Sequence, residues 1–161
     1  MIGAALVCIM SLSTITAGKS PSYSRKYWRR HHPASLQLCV RTYREAEARG
    51  LDPLELVAVG WVESRHRNII NSIGASGPLQ AIPKYWCRGP RVERPCDFVK
   101  AGARAWAHYR GRTQTLEEAA GEYSGAGPVS DYALAVRAHH DLLREKVDQL
   151  PLVIRWGAYG R

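Results

Sequence analysis

Residues 60–83 read GWVESRHRNIINSIGASGPLQAIP. An apolar helical pattern, PLELVAVGWVESR from Pro53, stops on a single carboxylate, Glu63. Upstream, Asp52-Pro53 has the form of an N-cap followed by an N1 proline, which places the start of that helix. Downstream, Asn, Gly, Ser and Pro exclude a long element, and a Gly74-Ala-Ser-Gly-Pro turn delivers Gln80. The segment up to Pro83 is therefore read as loop with short strands at most. Working outward, SLQLCVRTYREAEARG has helical spacing at Leu36, Val40, Tyr43 and Ala46, with Gly50 as its stop. After Cys96, Phe98, Gly102, Ala105, Trp106 and Tyr109 form another stripe. Thr115-Leu-Glu-Glu118 is a capping box that opens a short helix ending near Tyr123, broken by Ser-Gly-Ala-Gly-Pro. A last helix over about 130–147 turns Tyr132, Val136, His139 or His140, and Leu143 inward. Helix and loop alternate without a strand run, so the fold class is mostly α, with at most a minor β element.

The chain has 161 residues, enough for one domain, and 45% hydrophobic residues, enough for a core. Its formal charge of +9 favours anionic partners. The cations look scattered along the chain, so nucleic acid is not the expected partner. Residues 1–18 lack charge and read as a signal peptide or membrane anchor, through which membrane association is expected. The cations follow this run rather than precede it, the reverse of the usual export signal. Residues 19–34, Ser-, Arg- and aromatic-rich, read as a basic linker, and the compact domain spans 35–161.

Four cysteines are present. Cys87 and Cys96 bracket CRGPRVERPC, a loop that a disulfide would stabilise by about 2–3 kcal/mol. Cys39 is read as a buried thiol. Zinc spacing is absent, His-Glu-x-x-His is absent, and Glu63-x-x-His66 occurs only once, so no metal is expected.

Glu63 carries the chemistry. Burial in the last turn of an apolar helix, together with the negative end of the helix dipole, raises a carboxyl pKa toward the range of a general acid. The ordinary alternative is a surface glutamate paired with Arg65 or Arg67. The order Glu63-Ser64, Gly77-Pro-Leu-Gln80 and Glu122-Tyr123-Ser124-Gly resembles the soluble-type lytic transglycosylases, relatives of goose-type lysozyme. Their motifs are Glu-Ser, Gly-Leu-Met-Gln and Ala-Tyr-Asn, and the likeness spans roughly residues 51–143. The resemblance implies a lysozyme-like fold, Glu63 as the single catalytic acid/base, and Ser64, Gln80 and Tyr123 as substrate-binding residues. Pro78 and Leu79 depart from the family's leucine and methionine, and Ser124 from its asparagine. The resemblance further implies cleavage of the bond between N-acetylmuramic acid and N-acetylglucosamine, without cofactor, by a monomeric domain. Peptidoglycan strands are the implied partner, met in the periplasm or another extracytoplasmic place, or from a virion if the chain is phage-encoded. A hydrolytic muramidase would need a second carboxylate, for which Asp97, Glu93 and Glu122 are candidates. A different class, a non-catalytic basic module binding wall, nucleic acid or membrane surface, stays open at this point. Tyr85 or Trp86, just past the loop, is a candidate for stacking on a sugar face.

Overall fold

The computed structural model describes residues 2–88 and 95–151. Among the described residues seven helices follow in order: α1 (Ile2–Thr16), α2 (Pro21–Ala48), α3 (Pro53–Ser64), α4 (Pro83–Trp86), α5 (Phe98–Arg110), α6 (Leu116–Ser124) and α7 (Asp131–Asp148). The mostly-α expectation holds. Among the described residues the only β features are two isolated bridges, Ile70 with Ser76 and Ser76 with Ala81.

The start and stop signals act as local chemistry requires. Asp52 caps α3 by accepting from Leu54 N–H, with Pro53 in the first turn. Thr115 and Glu118 form the reciprocal capping box of α6, and Gly125 ends that helix at φ 73°. Helix α3 differs from a one-faced amphipathic helix. Every residue from Pro53 to Gly60 is buried, because α1, α2 and α7 pack around it. A short helix that is apolar on all sides becomes the centre of the domain. The acid within this buried stretch, Glu55, is held by the Arg110 guanidinium of α5 at 3.1 Å.

Two hydrophobic clusters form the core. One joins Leu56, Val59, Leu79, Trp106, Ala119 and Val136 beneath the loop that follows α3. The other joins Val7, Cys8, Cys39, Tyr43, Leu54, Val57 and Leu143.

That second cluster corrects three expectations. Residues 2–16 are not separate from the domain: Ala4, Val7, Cys8 and Leu12 are part of its core. Cys39 is no free thiol, since it is bonded to Cys8. Residues 21–34 are not a linker, because α2 runs unbroken from Pro21 through Pro33 to Ala48. Pro33 lies some three turns inside that helix, where sequence rules would end it at the preceding residue. The domain boundary expected at residue 35 therefore falls in mid-helix. Among the described residues no helix is long and apolar enough to cross a membrane. The expected Cys87–Cys96 disulfide is formed. Glu93, one of the candidate second carboxylates, lies outside the described residues.

Candidate functional site

Helix α3 ends abruptly after Glu63-Ser64. Arg65 and His66 both take left-handed backbone angles, φ 57° and 56°, and Gln80 takes φ 48°. Positive φ at three non-glycine residues costs energy, and such strain concentrates where a loop must be aimed. Ser64 holds the returning loop: its hydroxyl donates to Pro78 O at 2.8 Å and accepts from Arg67 N–H at 3.0 Å. Asn71 Oδ1 closes the loop tip by accepting from Ile73 and Ala75 N–H, each at 3.0 Å. The Gln80 amide donates to Ile69 O at 2.9 Å and to Gly77 O at 2.8 Å. Tyr123 of α6 then fastens the same turn by donating to Leu79 O at 2.5 Å.

These contacts open a cleft of about 320 Å³. Glu63 and Gln80 line it, with Ala81 and Ile82 beside them, Tyr85 and Trp86 from α4, Tyr109 from α5, Tyr123 from α6 and Tyr132 from α7. Among the described lining residues Glu63 is the only carboxylate. Asp97 instead caps α5 and pairs with Arg41 at 2.6 Å. Glu122 is exposed and does not line the cleft.

Burial raises the Glu63 carboxyl to about 7, against the opposing pull of one hydrogen bond from Tyr132. That bond, Tyr132 Oη–H to Glu63 Oε1, is 2.5 Å long. Burial also lifts both phenols, Tyr123 and Tyr132, well above their ordinary value, with the Glu63 charge adding to the effect. Both therefore stay protonated as donors across the physiological range. The site thus holds one acid poised to give or take a proton near neutrality.

Three of the four sequence-predicted site residues, Glu63, Gln80 and Tyr123, converge on the cleft. Ser64 does not: it is 2% exposed and bonds only backbone, so it shapes the loop and is not a substrate ligand. Gln80 lines the wall, but both amide hydrogens are committed within its own loop, leaving Oε1 as its acceptor. Leu79 turns inward and is fully buried, so Ala81 and Ile82 form the wall there. Gly102 makes that possible, since a Cβ on it would lie 2.3 Å from Leu79 Cβ. Ser124 reaches the cleft, but its hydroxyl donates to Gly121 O at 3.3 Å.

Tyr132 is the functional residue that sequence reasoning placed only as an inward-facing core position. No local signal distinguishes a tyrosine that fills space from one that meets a carboxylate on another helix. His66, by contrast, does not line the cleft. It is fully buried on the other side of the loop, where Ser11 Oγ lies 3.3 Å from its Nε2 and 2.9 Å from His139 Nε2. His139 also stacks on Trp61, with ring centroids 4.2 Å apart. Burial lowers both histidines to about 3, so they are neutral packing groups. Among the described residues no cluster of His, Cys, Asp or Glu could hold a metal.

Comparison with protein-family models, with curated proteins and with solved structures finds no match to this chain. The geometry of the cleft therefore carries the functional argument.

Proposed function

We propose that the protein is a peptidoglycan lytic transglycosylase of lysozyme-like type, cleaving the β-1,4 bond between N-acetylmuramic acid and N-acetylglucosamine. The observation that carries this reading is Glu63: a lone carboxyl, raised to about 7, in a cleft walled by aromatic rings. Its resemblance in motif order to the soluble-type transglycosylases supports the same assignment.

In its neutral form Glu63 donates its proton to the glycosidic oxygen as the bond to the muramic anomeric carbon breaks. Positive charge develops on that carbon, and the substrate's own acetamido oxygen stabilises it. Glu63, now a carboxylate, takes the proton from the muramic 6-hydroxyl. That oxygen closes on the anomeric carbon and forms the 1,6-anhydro ring. The proton count returns to its start and no water is consumed. Tyr132 stabilises the carboxylate stage through its 2.5 Å bond, while burial favours the acid stage. A carboxyl that must serve both stages is best tuned near the working pH. Tyr85, 63% exposed at the mouth, and Trp86 beside it present ring faces or edges for sugar contact. Trp86 is held from behind by Arg104, which donates to its carbonyl at 2.6 Å.

Digestion of purified peptidoglycan by the wild type and by Glu63→Gln, read by mass spectrometry, tests the assignment. Anhydro-muropeptides released by the wild type and missing with the variant are the expected result. Reducing ends would replace the lyase with a hydrolytic muramidase, and no release by the wild type would remove both.

A further inference from the structure

Helix α2 begins with a segment that the catalytic reading leaves unused. Ser22, Arg25, Lys26, Arg29 and Arg30 follow one another at steps of three, one, three and one, so they fall on a single helical face. They line a surface groove made of no other described residues. All five are exposed, and Lys19 just before them is exposed too. Among the described residues none of the four cations is in an ion pair. Four of the 23 Lys and Arg residues therefore form one basic stripe. Its potential is neutralised by no carboxylate of the described fold, so an anionic surface is its complement.

A second feature decides between anionic partners. Helix α1, packed against α2, has no charged residue. One of its faces, with Ala4, Val7, Cys8, Ser11 and Leu12, is buried in the core. The opposite face is uncharged and carries Ile9, 44% exposed, with partly exposed Leu6 beside it and the hydroxyls of Ser13 and Thr16 further along. The sequence also interleaves the cations with Tyr23, Tyr27 and Trp28, residue types that partition to the headgroup level of bilayers. A soluble polyanion would engage the cations and leave the apolar face in water. A phospholipid surface would engage both, with cations at the phosphates and Ile9 below them.

We propose that the α1 outer face and the basic stripe of α2 form a peripheral binding site for an anionic phospholipid bilayer. The protein lies on the surface rather than spanning it. Docking there holds the domain beside a membrane while the cleft, built from other elements, stays available.

Flotation of the full chain with vesicles tests this without reference to wall cleavage. Vesicles of equal parts phosphatidylcholine and phosphatidylglycerol should bind the wild type, and pure phosphatidylcholine should bind it far less. Each cation near the surface contributes roughly fivefold to the partition coefficient, so replacing Arg25, Lys26, Arg29 and Arg30 by Gln should lower it by ~100-fold or more. Ile9→Asn should weaken it by several-fold, with circular dichroism confirming that the variant is folded. Equal binding to both vesicle types, or full binding by the quadruple variant, overturns the proposal. So does unchanged binding by Ile9→Asn. Failure to bind vesicles, with tight salt-sensitive binding to duplex DNA or polyphosphate, overturns it in favour of a soluble polyanion.

Discussion

Tyr132 and Glu63, 69 positions apart in the chain, meet through a 2.5 Å hydrogen bond from phenol to carboxylate. The start of α7 thereby sets the proton affinity of the residue that ends α3. Burial and this bond pull in opposite directions, and burial wins, leaving the carboxyl at about 7.

Removing the bond shifts the balance further toward the acid. Tyr132→Phe takes away a donor that stabilises the carboxylate, so the Glu63 pKa rises. A hydrogen bond to a charged group contributes about 1.5–3 kcal/mol, equivalent to ~1–2 pH units. The alkaline limb of the pH–rate profile, expected near 7 in the wild type from the Glu63 carboxyl, should move upward by about that much. A limb that stays in place would show that Tyr132 does not act through Glu63.

Stability carries the same signature with the opposite consequence. Because the folded-state pKa of Glu63 is raised from 4.5 to about 7, the native state holds a proton that the unfolded state has released between those values. Stability is therefore full below 4.5, falls as pH rises through this window, and levels off above 7. Glu63→Gln, neutral at every pH and still able to accept from Tyr132, escapes the loss. Urea denaturation should find the variant more stable than the wild type at pH 8, by up to about 3 kcal/mol, with the gap closing near pH 4.5. Under the proposed function the same substitution should abolish wall cleavage, so that one variant separates function from folding.

The two disulfides should differ in their effect. Cys8–Cys39 closes a separation of 31 residues and Cys87–Cys96 one of 9. Chain entropy gives about 4 kcal/mol for the former and about 3 kcal/mol for the latter. Cys8→Ala with Cys39→Ala should lower Tm more than Cys87→Ala with Cys96→Ala. The second pair, next to Trp86 in the cleft wall, should raise KM for wall fragments, which the first pair should leave nearly unchanged.

Gly102→Ala probes the close approach of α5 to the loop. The added methyl would sit 2.3 Å from Leu79 Cβ, with fully buried surroundings. Overpacking of that kind costs about 1–3 kcal/mol, or displaces the 77–80 turn that carries Gln80. Reduced stability in urea, with a fall in kcat/KM, is the expected outcome. Wild-type values for both would mean that the turn is free to shift.

Much of this was legible in the chain itself. Asp52-Pro53, Thr115-x-x-Glu118 and Gly125 mark helix ends because they satisfy backbone groups within a few residues, whatever the rest of the fold does. Glu63 stood out because it closes an apolar helix, Gln80 and Tyr123 because their motifs resemble those of the soluble-type transglycosylases, and the local elements formed as their sequences require. Pro33 and the uncharged first helix show where local signals stop deciding. Local signals favour a break at Pro33, yet α2 runs through it, and α1 is joined to the domain by packing against α2, α3 and α7 and by the bond from Cys8 to Cys39.

What the sequence determined by itself, then, is the set of helices and a carboxylate at the end of one of them. Tertiary structure decided the rest: that Ser64 holds a loop, that Tyr132 meets Glu63, and that Asp97 and Glu122 stay away from the cleft. It also set four cations of α2 on one exposed face and left Ile9 of α1 in solvent. Caps and turns are fixed by atoms a few residues apart. The proton affinity of Glu63 depends on burial and on a phenol brought in from a distant helix, and neither exists until the chain is packed.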